Sequence, residues 1–425
     1  MARVLVVGSG GREHALAWAL ARSPHVDEIV CAPGNPGMAG LGECRPVAAA
    51  DPAAVADLAD HVGADLVVVG PEDPLVAGVA DALRARGRLA FGPDAAAARL
   101  EGSKAFMKDV LVAAGVPTAR HRTFRAGQEA EALAFLDTLP GPYVVKTDGL
   151  AAGKGVAVTG SIDEARAVVR SYLAGEAFGE AGRTCVVEEG LTGPEVSLFV
   201  LCDGTDAVPL AVAQDHKRAF DGDRGPNTGG MGAYTPVPFL PDGFVDEMLH
   251  AVIRPTLAEL RRRDAQYRGV LFCGLMCTPD GPKVLEYNVR FGDPECQVIV
   301  PLLASDLFVH CREAAAGHIE TPVVMRAEAC VGIALAAQGY PPSPTRRGDV
   351  IEGLDAAAAV PGALVFHAGT RRDGDALVTD GGRVLTVVAT GEGIRAARDR
   401  AYEAAGRISW PGLHYRRDIA AQALT

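Results

Sequence analysis

A multidomain α/β fold is expected, with an N-terminal parallel-sheet domain, a central α/β region and a small C-terminal α+β domain. Three observations lead there. The chain has 425 residues, too many for one ordinary core, and about three domains is the natural division. Its first hundred residues alternate short apolar runs with polar loops and helical segments, the pattern of a parallel sheet. Beyond about residue 323 the character changes to short apolar runs punctuated by Gly348-Asp349, Asp373-Gly374 and Asp380-Gly381-Gly382, which suits hairpins.

Taken in order, Arg3 to Val7 is an apolar run ending at a glycine turn, and Glu13 to Ala21 carries apolar residues at Leu16, Ala19 and Leu20. That is strand, loop and helix. Ile29 to Cys31 before Pro33-Gly34-Asn35, and Leu66 to Val69 before Gly70-Pro71-Glu72, repeat the scheme. Ligands of such sheets bind at the carboxyl ends of the strands, where these loops fall. Ser103 is placed to cap a helix carrying Phe106, Val110 and Leu111. Tyr143 to Lys146 runs into a glycine-rich hairpin tip, Gly149 to Gly155, and a helix from Asp163 to Leu173 with a strand from Cys185 to Val187 completes a lid-sized α/β unit. A helix near 244 to 262, strands near 269 to 277 and 283 to 289, and a last helix near 393 to 406 follow. The expected divisions are 1–103, 104–323 with a lid at about 120–190, and 324–425.

Composition excludes several classes. Hydrophobic content of 48% with 22% charged residues is that of a soluble globular chain, and no run approaches the length of a membrane span. Nine cysteines without a C-x-x-C pair argue for a reducing, cytoplasmic setting over a disulfide framework or zinc site. A net charge of −12 argues against nucleic-acid binding, so any phosphate must be held locally. The six lysines are Lys104, Lys108, Lys146, Lys154, Lys217 and Lys283, and most sit beside glycines or acids, where an ammonium suits phosphate.

Chemistry concentrates between Glu286 and Glu295. On a strand, alternation puts Glu286 and Asn288 on one face with Leu285, Tyr287 and Val289 opposite, and one carboxylate plus one amide oxygen suits Mg²⁺. Gly8-Ser9-Gly10-Gly11-Arg12-Glu13 has Glu13 at the third position of the dinucleotide fingerprint, and the second strand ends in Cys31 without a ribose-binding acid. A nicotinamide dehydrogenase is disfavoured, and a single phosphate at the helix N-terminus fits better. Gly153-Lys154-Gly155 is not a Walker A loop, but with Lys146 it could close over a triphosphate. His216, in the run Gln214 to Arg218, is read as ordering its loop.

Gly10 to His14, Gly149 to Gly155, Gln214 to Arg218, Pro226 to Gly232 and Glu286 to Glu295, in that order, resemble the phosphoribosylamine-glycine ligase (glycinamide ribonucleotide synthetase) family, and the match spans nearly the whole chain. The resemblance implies an ATP-grasp fold with a mobile lid and ligation of glycine to 5-phosphoribosylamine, using ATP, through glycyl phosphate. It also implies Mg²⁺, with Mn²⁺ as an alternative, on Glu286 and Asn288. ATP would lie along Lys104, Lys146, Gly153, Lys154, Gly155, Glu188, Glu189 and Glu195. Phosphoribosylamine would meet Gly10, Gly11, Arg12, Gly70, Pro71, Glu72 and Arg290. The reacting groups would face Arg290, Asp293, Lys154, Asp215 and Lys217. The partners are small molecules, with neither nucleic acid nor membrane, and the assembly is a monomer or weak homo-oligomer. Another ATP-grasp carboxylate-amine ligase or a carboxylase is the alternative.

Overall fold

The computed structural model describes residues 1–149, 155–177, 183–341 and 344–424. Five parallel strands form the N-terminal sheet in the order Glu43–Cys44, Val26–Pro33, Ala2–Gly8, Leu66–Val69 and Leu89–Phe91. Val4 to Val7 and Leu66 to Val69 are buried throughout, as a sheet covered on both faces requires. Helices Gly11–Leu20 and Pro52–Val62 are among those covering it. The second starts sharply because Asp51 accepts from Ala53 N and Ala54 N.

Residues 121–189 include a four-stranded antiparallel sheet in the order His121–Arg125, Thr184–Glu189, Tyr143–Thr147 and Val156–Thr159. Helices Glu129–Leu136 and Ile162–Leu173 cover it, and Ser161 caps the latter through Glu164 N. Phe124, Leu136, Val145, Val169 and Val187 form a cluster separate from the two larger cores.

The largest sheet has eight antiparallel strands: Gly281–Asn288, Arg268–Thr278, Glu195–Asp203, Ala207–Asp215, Gly232–Thr235, Ala329–Ala336, Arg383–Gly391 and Ala363–His367. It runs without a break from the central region into the C-terminal one. The seam is the pairing of Gly232–Thr235 with Ala329–Ala336, a short strand against a wholly buried one, which local pattern does not announce. The helix from Phe244 to Arg262 is continuous but carries a π-segment at Leu249–Ile253. Pro255 follows it, and its missing N–H removes a regular helix bond there. Among the described residues no helix is long and apolar enough to cross a membrane, and all nine cysteines are free thiols.

Candidate active site

Strand Gly281–Asn288 supplies the centre of the site. Register shifts between Gly274 and Leu275 of its neighbour, which pair with Glu286 and Val284, so Leu285 is the extra residue of a β-bulge. The bulge re-aims the strand. Val284 is buried although it shares parity with Glu286, while Glu286 and Asn288 stay together on the open face and Tyr287 turns inward to meet Thr256 at 2.7 Å. Leu285, expected only as an apolar residue of the far face, offers its carbonyl to Lys146 Nζ at 3.2 Å.

Around this strand lies a cavity of about 570 Å³. Its lining brings together Arg12, Glu72, Lys104, Lys146, Gly155, Glu188, Glu189, Glu195, Asp215, Lys217, Glu286, Asn288, Arg290 and Asp293. Gly10, Gly11, Gly70 and Pro71 stand behind that lining rather than in it. Gly153 and Lys154 lie outside the described residues. A larger cleft of about 680 Å³ beside Leu240, Phe244 and Met325 contains none of these groups, so the smaller cavity is the candidate site.

The N-terminal loop is organised by Glu13. Its Oε2 accepts the Gly10 N–H at 2.6 Å, and its Oε1 accepts Arg12 Nε at 2.6 Å. A Cβ at Gly70 would collide with the same carboxylate, so the turn after the fourth strand needs glycine for close approach. This is why the third fingerprint position holds Glu13: its side chain fills the space between two loops. Arg12 then reaches Phe291 O at 3.0 Å and Glu72 at 3.9 Å.

Arg290 ties that loop to the central strand. Its Nε donates to Glu72 at 3.1 Å, and one terminal nitrogen donates to Glu101 at 2.7 Å and to Asn288 Oδ1 at 3.2 Å. The last contact holds the Asn288 oxygen and leaves it a second lone pair. Glu101 also accepts Val289 N–H at 2.8 Å. Burial pushes the Glu101 carboxyl up to about 7, against the opposing pull of Arg290. Burial also works against the Glu72 carboxylate, but Arg290 and Arg12 hold its pKa below the ordinary value.

Lysines crowd the other side. Lys217 makes a close ion pair with Glu195 and stands 3.5 Å from Glu286. Lys217, with Lys146, Lys104 and Arg290 behind it, overcomes burial and holds the Glu286 carboxyl down to about 2. Burial moves Asp215 the opposite way, well above the carboxylate range, with Lys217 opposing and Glu295 adding to the shift. Two carboxyls of one sheet, on strands with two others between them, are thus shifted in opposite directions.

At the far end Glu188 is buried between Lys108 at 3.0 Å and Lys146 at 3.2 Å. Its side chain is committed to those two ammonium groups, and its strand pairs with a neighbour on each side. Glu189 accepts Arg120 N–H at 2.9 Å and faces Lys283 at 3.7 Å. Lys104 Nζ donates to Gly149 O at 3.1 Å, at the foot of the glycine-rich hairpin, and burial lowers its pKa. Val144, Val156 and Met276 make this part of the lining apolar.

Among the described residues no three His, Cys, Asp or Glu side chains converge to cage a metal. Glu286 and Asn288 supply one carboxylate and one amide oxygen, which fits an ion that keeps waters and phosphate oxygens in its other positions. His216 is buried, its Nε2 3.0 Å from Gln422 and accepting Ala420 N–H at 3.4 Å, so it holds the C-terminal segment against its loop.

Two charged residues of the lining, Glu101 and Arg383, lie outside every motif read from the sequence. Glu101 closes a helix, and Arg383 opens a strand in the C-terminal part; each is a lone charge in an ordinary stretch. For Glu101, adjacency to the capping Ser103 and to Lys104 was an available signal. For Arg383 none was, because its partners lie 90 or more residues away.

Comparison with known proteins gives one answer along the chain. The phosphoribosylglycinamide synthetase models match in sequence order: the N domain at residues 2–101, the ATP-grasp (A) domain at 102–296 and the C domain at 330–422. The chain is 50% identical to the phosphoribosylamine-glycine ligase of Mesorhizobium japonicum, over 99% of this chain and 98% of that one. It is 52% identical to the Streptomyces coelicolor ligase, over 99% of each. The crystal structure of phosphoribosylamine-glycine ligase from Thermotoga maritima matches with a TM-score of 0.86 at 35% identity, covering 98% of this chain and 100% of that one. The biotin carboxylase domain of Hydrogenobacter thermophilus 2-oxoglutarate carboxylase, solved with MgADP, shares the fold with a TM-score of 0.75 at 18% identity, over 97% and 91% of the two chains. The chain belongs to the phosphoribosylglycinamide synthetase family, with an N-terminal parallel-sheet domain, a central ATP-grasp domain and a C-terminal domain.

Proposed function

We propose that the chain is an ATP-dependent ligase that joins glycine to 5-phosphoribosylamine, giving glycinamide ribonucleotide, ADP and phosphate in purine biosynthesis. One observation carries the assignment to this site: Arg290 bonds at once to Glu72 and Glu101 of the N-terminal domain and to Asn288 of the central strand. A sugar-phosphate amine bound at the N-terminal loop and a triphosphate bound along the lysines would meet there.

A glycine carboxylate oxygen attacks the γ-phosphorus, and the bond to the β,γ-bridging oxygen breaks to release ADP. The amine nitrogen of phosphoribosylamine then attacks the acyl carbon of glycyl phosphate, loses a proton and expels phosphate. Positioning and charge neutralisation are what the protein supplies. Lys104 and Lys146 lie along the phosphates, with Lys154, flanked by Gly153 and Gly155, closing over them. Backbone groups at Glu188 and Glu189 meet the adenine against the apolar wall, and Glu195 meets the ribose. Arg12, Glu72 and Arg290 hold phosphoribosylamine, with Gly10, Gly11, Gly70 and Pro71 shaping the loops behind them. Arg290 and Asp293 face the reacting carboxyl, with Lys217 neutralising phosphoryl charge and Asp215 nearby to take the amine proton. Glu286 and Asn288 would hold Mg²⁺, or Mn²⁺ in its place. When bound, such an ion neutralises charge developing on the phosphoryl oxygens.

We divide the chain at 103 and 323, with a lid at about 120–190, and place the enzyme in the cytoplasm, where its free thiols stay reduced. All the groups named come from one chain, which suits a monomer or weak homo-oligomer. The test is ADP release with Mg-ATP and freshly generated phosphoribosylamine, comparing glycine, alanine, bicarbonate and no acceptor. Release that needs both glycine and phosphoribosylamine supports the reading. Release with bicarbonate, or with neither substrate, refutes it and leaves a carboxylase-type relative.

A further inference from the structure

Arg383 belongs to the C-terminal part of the chain, yet it ends in the active-site cavity. It opens strand Arg383–Gly391, which is paired on both sides in the eight-stranded sheet, and its own carbonyl accepts Gly369 N–H at 3.0 Å, so its backbone is held in place. One terminal nitrogen of its guanidinium donates to Gly229 O at 2.7 Å, to Gly230 O at 3.3 Å and to Asp293 O at 2.6 Å, and lies 3.3 Å from Asp293 Oδ1. Three of these four acceptors are backbone carbonyls. They come from two separate segments, the glycine-rich loop that follows the paired strands Arg218–Phe220 and Arg224–Asn227, and the turn after Arg290.

A second, independent contact points the same way. Gly229 N–H donates to the Tyr340 hydroxyl at 3.3 Å, so both backbone polar groups of Gly229 are held by C-terminal residues. Gly229 also has to be glycine for Arg383 to sit where it does, because a Cβ there would stand 2.9 Å from one guanidinium nitrogen and 3.0 Å from its carbon. On the other side, Gln297 Nε2 donates to Asp293 Oδ1 at 2.8 Å, which fixes the side chain whose backbone Arg383 fixes.

We infer that Arg383 is a positioning residue of the ligase site: from the C-terminal sheet it fastens the Gly229-Gly230 loop and the Asp293 turn together beside the reacting carboxyl. The inference rests on the ligase reading for its kinetic consequences. Its structural consequence does not depend on that reading. The nucleotide end, around Lys104, Lys146 and Glu188, receives nothing from Arg383, so loss of the clamp separates acceptor chemistry from nucleotide binding.

The experiment uses the full chain as wild type, R383M, R383K and G229A, with two readouts. Hydrogen exchange of residues 227–232 reports the loop directly, and R383M and G229A are expected to exchange about 10-fold faster there than wild type. In the ligase assay the same variants are expected to lose about 10- to 100-fold in kcat/KM for glycine while Mg-ATP affinity stays within about twofold, as small misplacements of reacting groups do. R383K should recover part of the loss, and G229A tests the clamp with the arginine still present should R383M not fold. Unchanged exchange at 227–232 overturns the inference, and so does an Mg-ATP affinity that falls in parallel with melting temperature. If wild type does not ligate glycine, the functional reading fails, and the exchange comparison still decides the clamp.

Discussion

Arg290 is the residue on which the site turns, and what surrounds it sets a pH dependence. Glu101, pushed up to about 7 by burial, accepts from both Arg290 and Val289 N–H when ionised. Protonation weakens both bonds. kcat/KM is therefore expected to rise with pH through about 7, and Glu101→Gln should flatten that limb in a pH-rate profile. The same group makes the opposite contribution to stability. Because its native pKa lies above the ordinary 4.5, the folded chain holds the proton more tightly between 4.5 and about 7, and its stabilising contribution falls as pH rises through that window. Glu286 is set the other way, down to about 2 by Lys217, so it is ionised at every working pH. Glu286→Gln should bring ligation below detection while circular dichroism and melting stay near wild type; near-normal turnover would remove its metal role. Glu286 and Asn288 were legible because strand alternation is local and the pair shares one face. Arg383 was not, since a lone charge acquires meaning only from partners far along the chain, and Glu101 had only its place beside Ser103 and Lys104 to mark it.

Elements carry the next level of the argument. The strand, loop and helix succession of the N-terminal domain could be read from apolar runs and glycine turns, and so could the Ser103 cap, whose hydroxyl accepts Phe106 N–H at 3.1 Å. The bulge at Leu285 and the π-segment at Leu249–Ile253 were not read. The first is imposed by the neighbouring strand, and the second goes with Pro255 in its own helix. The four-stranded unit over 121–189 is joined to the rest through charge: Lys108, wholly buried, reaches Glu188 at 3.0 Å and Thr118 at 2.7 Å, and Thr118 in turn donates to Val284 O at 2.7 Å. Lys108→Ala leaves a buried carboxylate with one partner fewer and should cost about 3 kcal/mol in denaturant unfolding, as the breaking of buried pairs does. A loss too small to measure would mean that Lys146 alone satisfies Glu188. Lys154, in the glycine-rich segment of the sequence between Tyr143–Thr147 and Val156–Thr159, is expected on replacement (Lys154→Ala) to raise the KM for ATP several-fold with little change in the KM for glycine, and an unchanged ATP dependence would put that segment outside the site.

At the scale of the whole molecule, the sequence divides cleanly at about residue 323 by composition, whereas the eight-stranded sheet crosses that point without a break. Composition reports which residues a segment can bury, and strand order is decided by contacts at long range, so a change in the first need not mark a break in the second. The continuity matters for function because it lets the C-terminal part present Arg383 to a site built chiefly by the other two. The N-terminal loop brings Arg12 and Glu72, the central sheet brings Glu286, Asn288 and Arg290, and the two sets meet in one cavity of about 570 Å³. The account's central claim is that this cavity activates the glycine carboxylate by direct transfer of the γ-phosphoryl group. Glycine labelled with ¹⁸O in its carboxylate, turned over with Mg-ATP and phosphoribosylamine, tests it by mass spectrometry of the released phosphate. The account predicts transfer of one labelled oxygen from each glycine to phosphate, and phosphate released without label during ligation would contradict it.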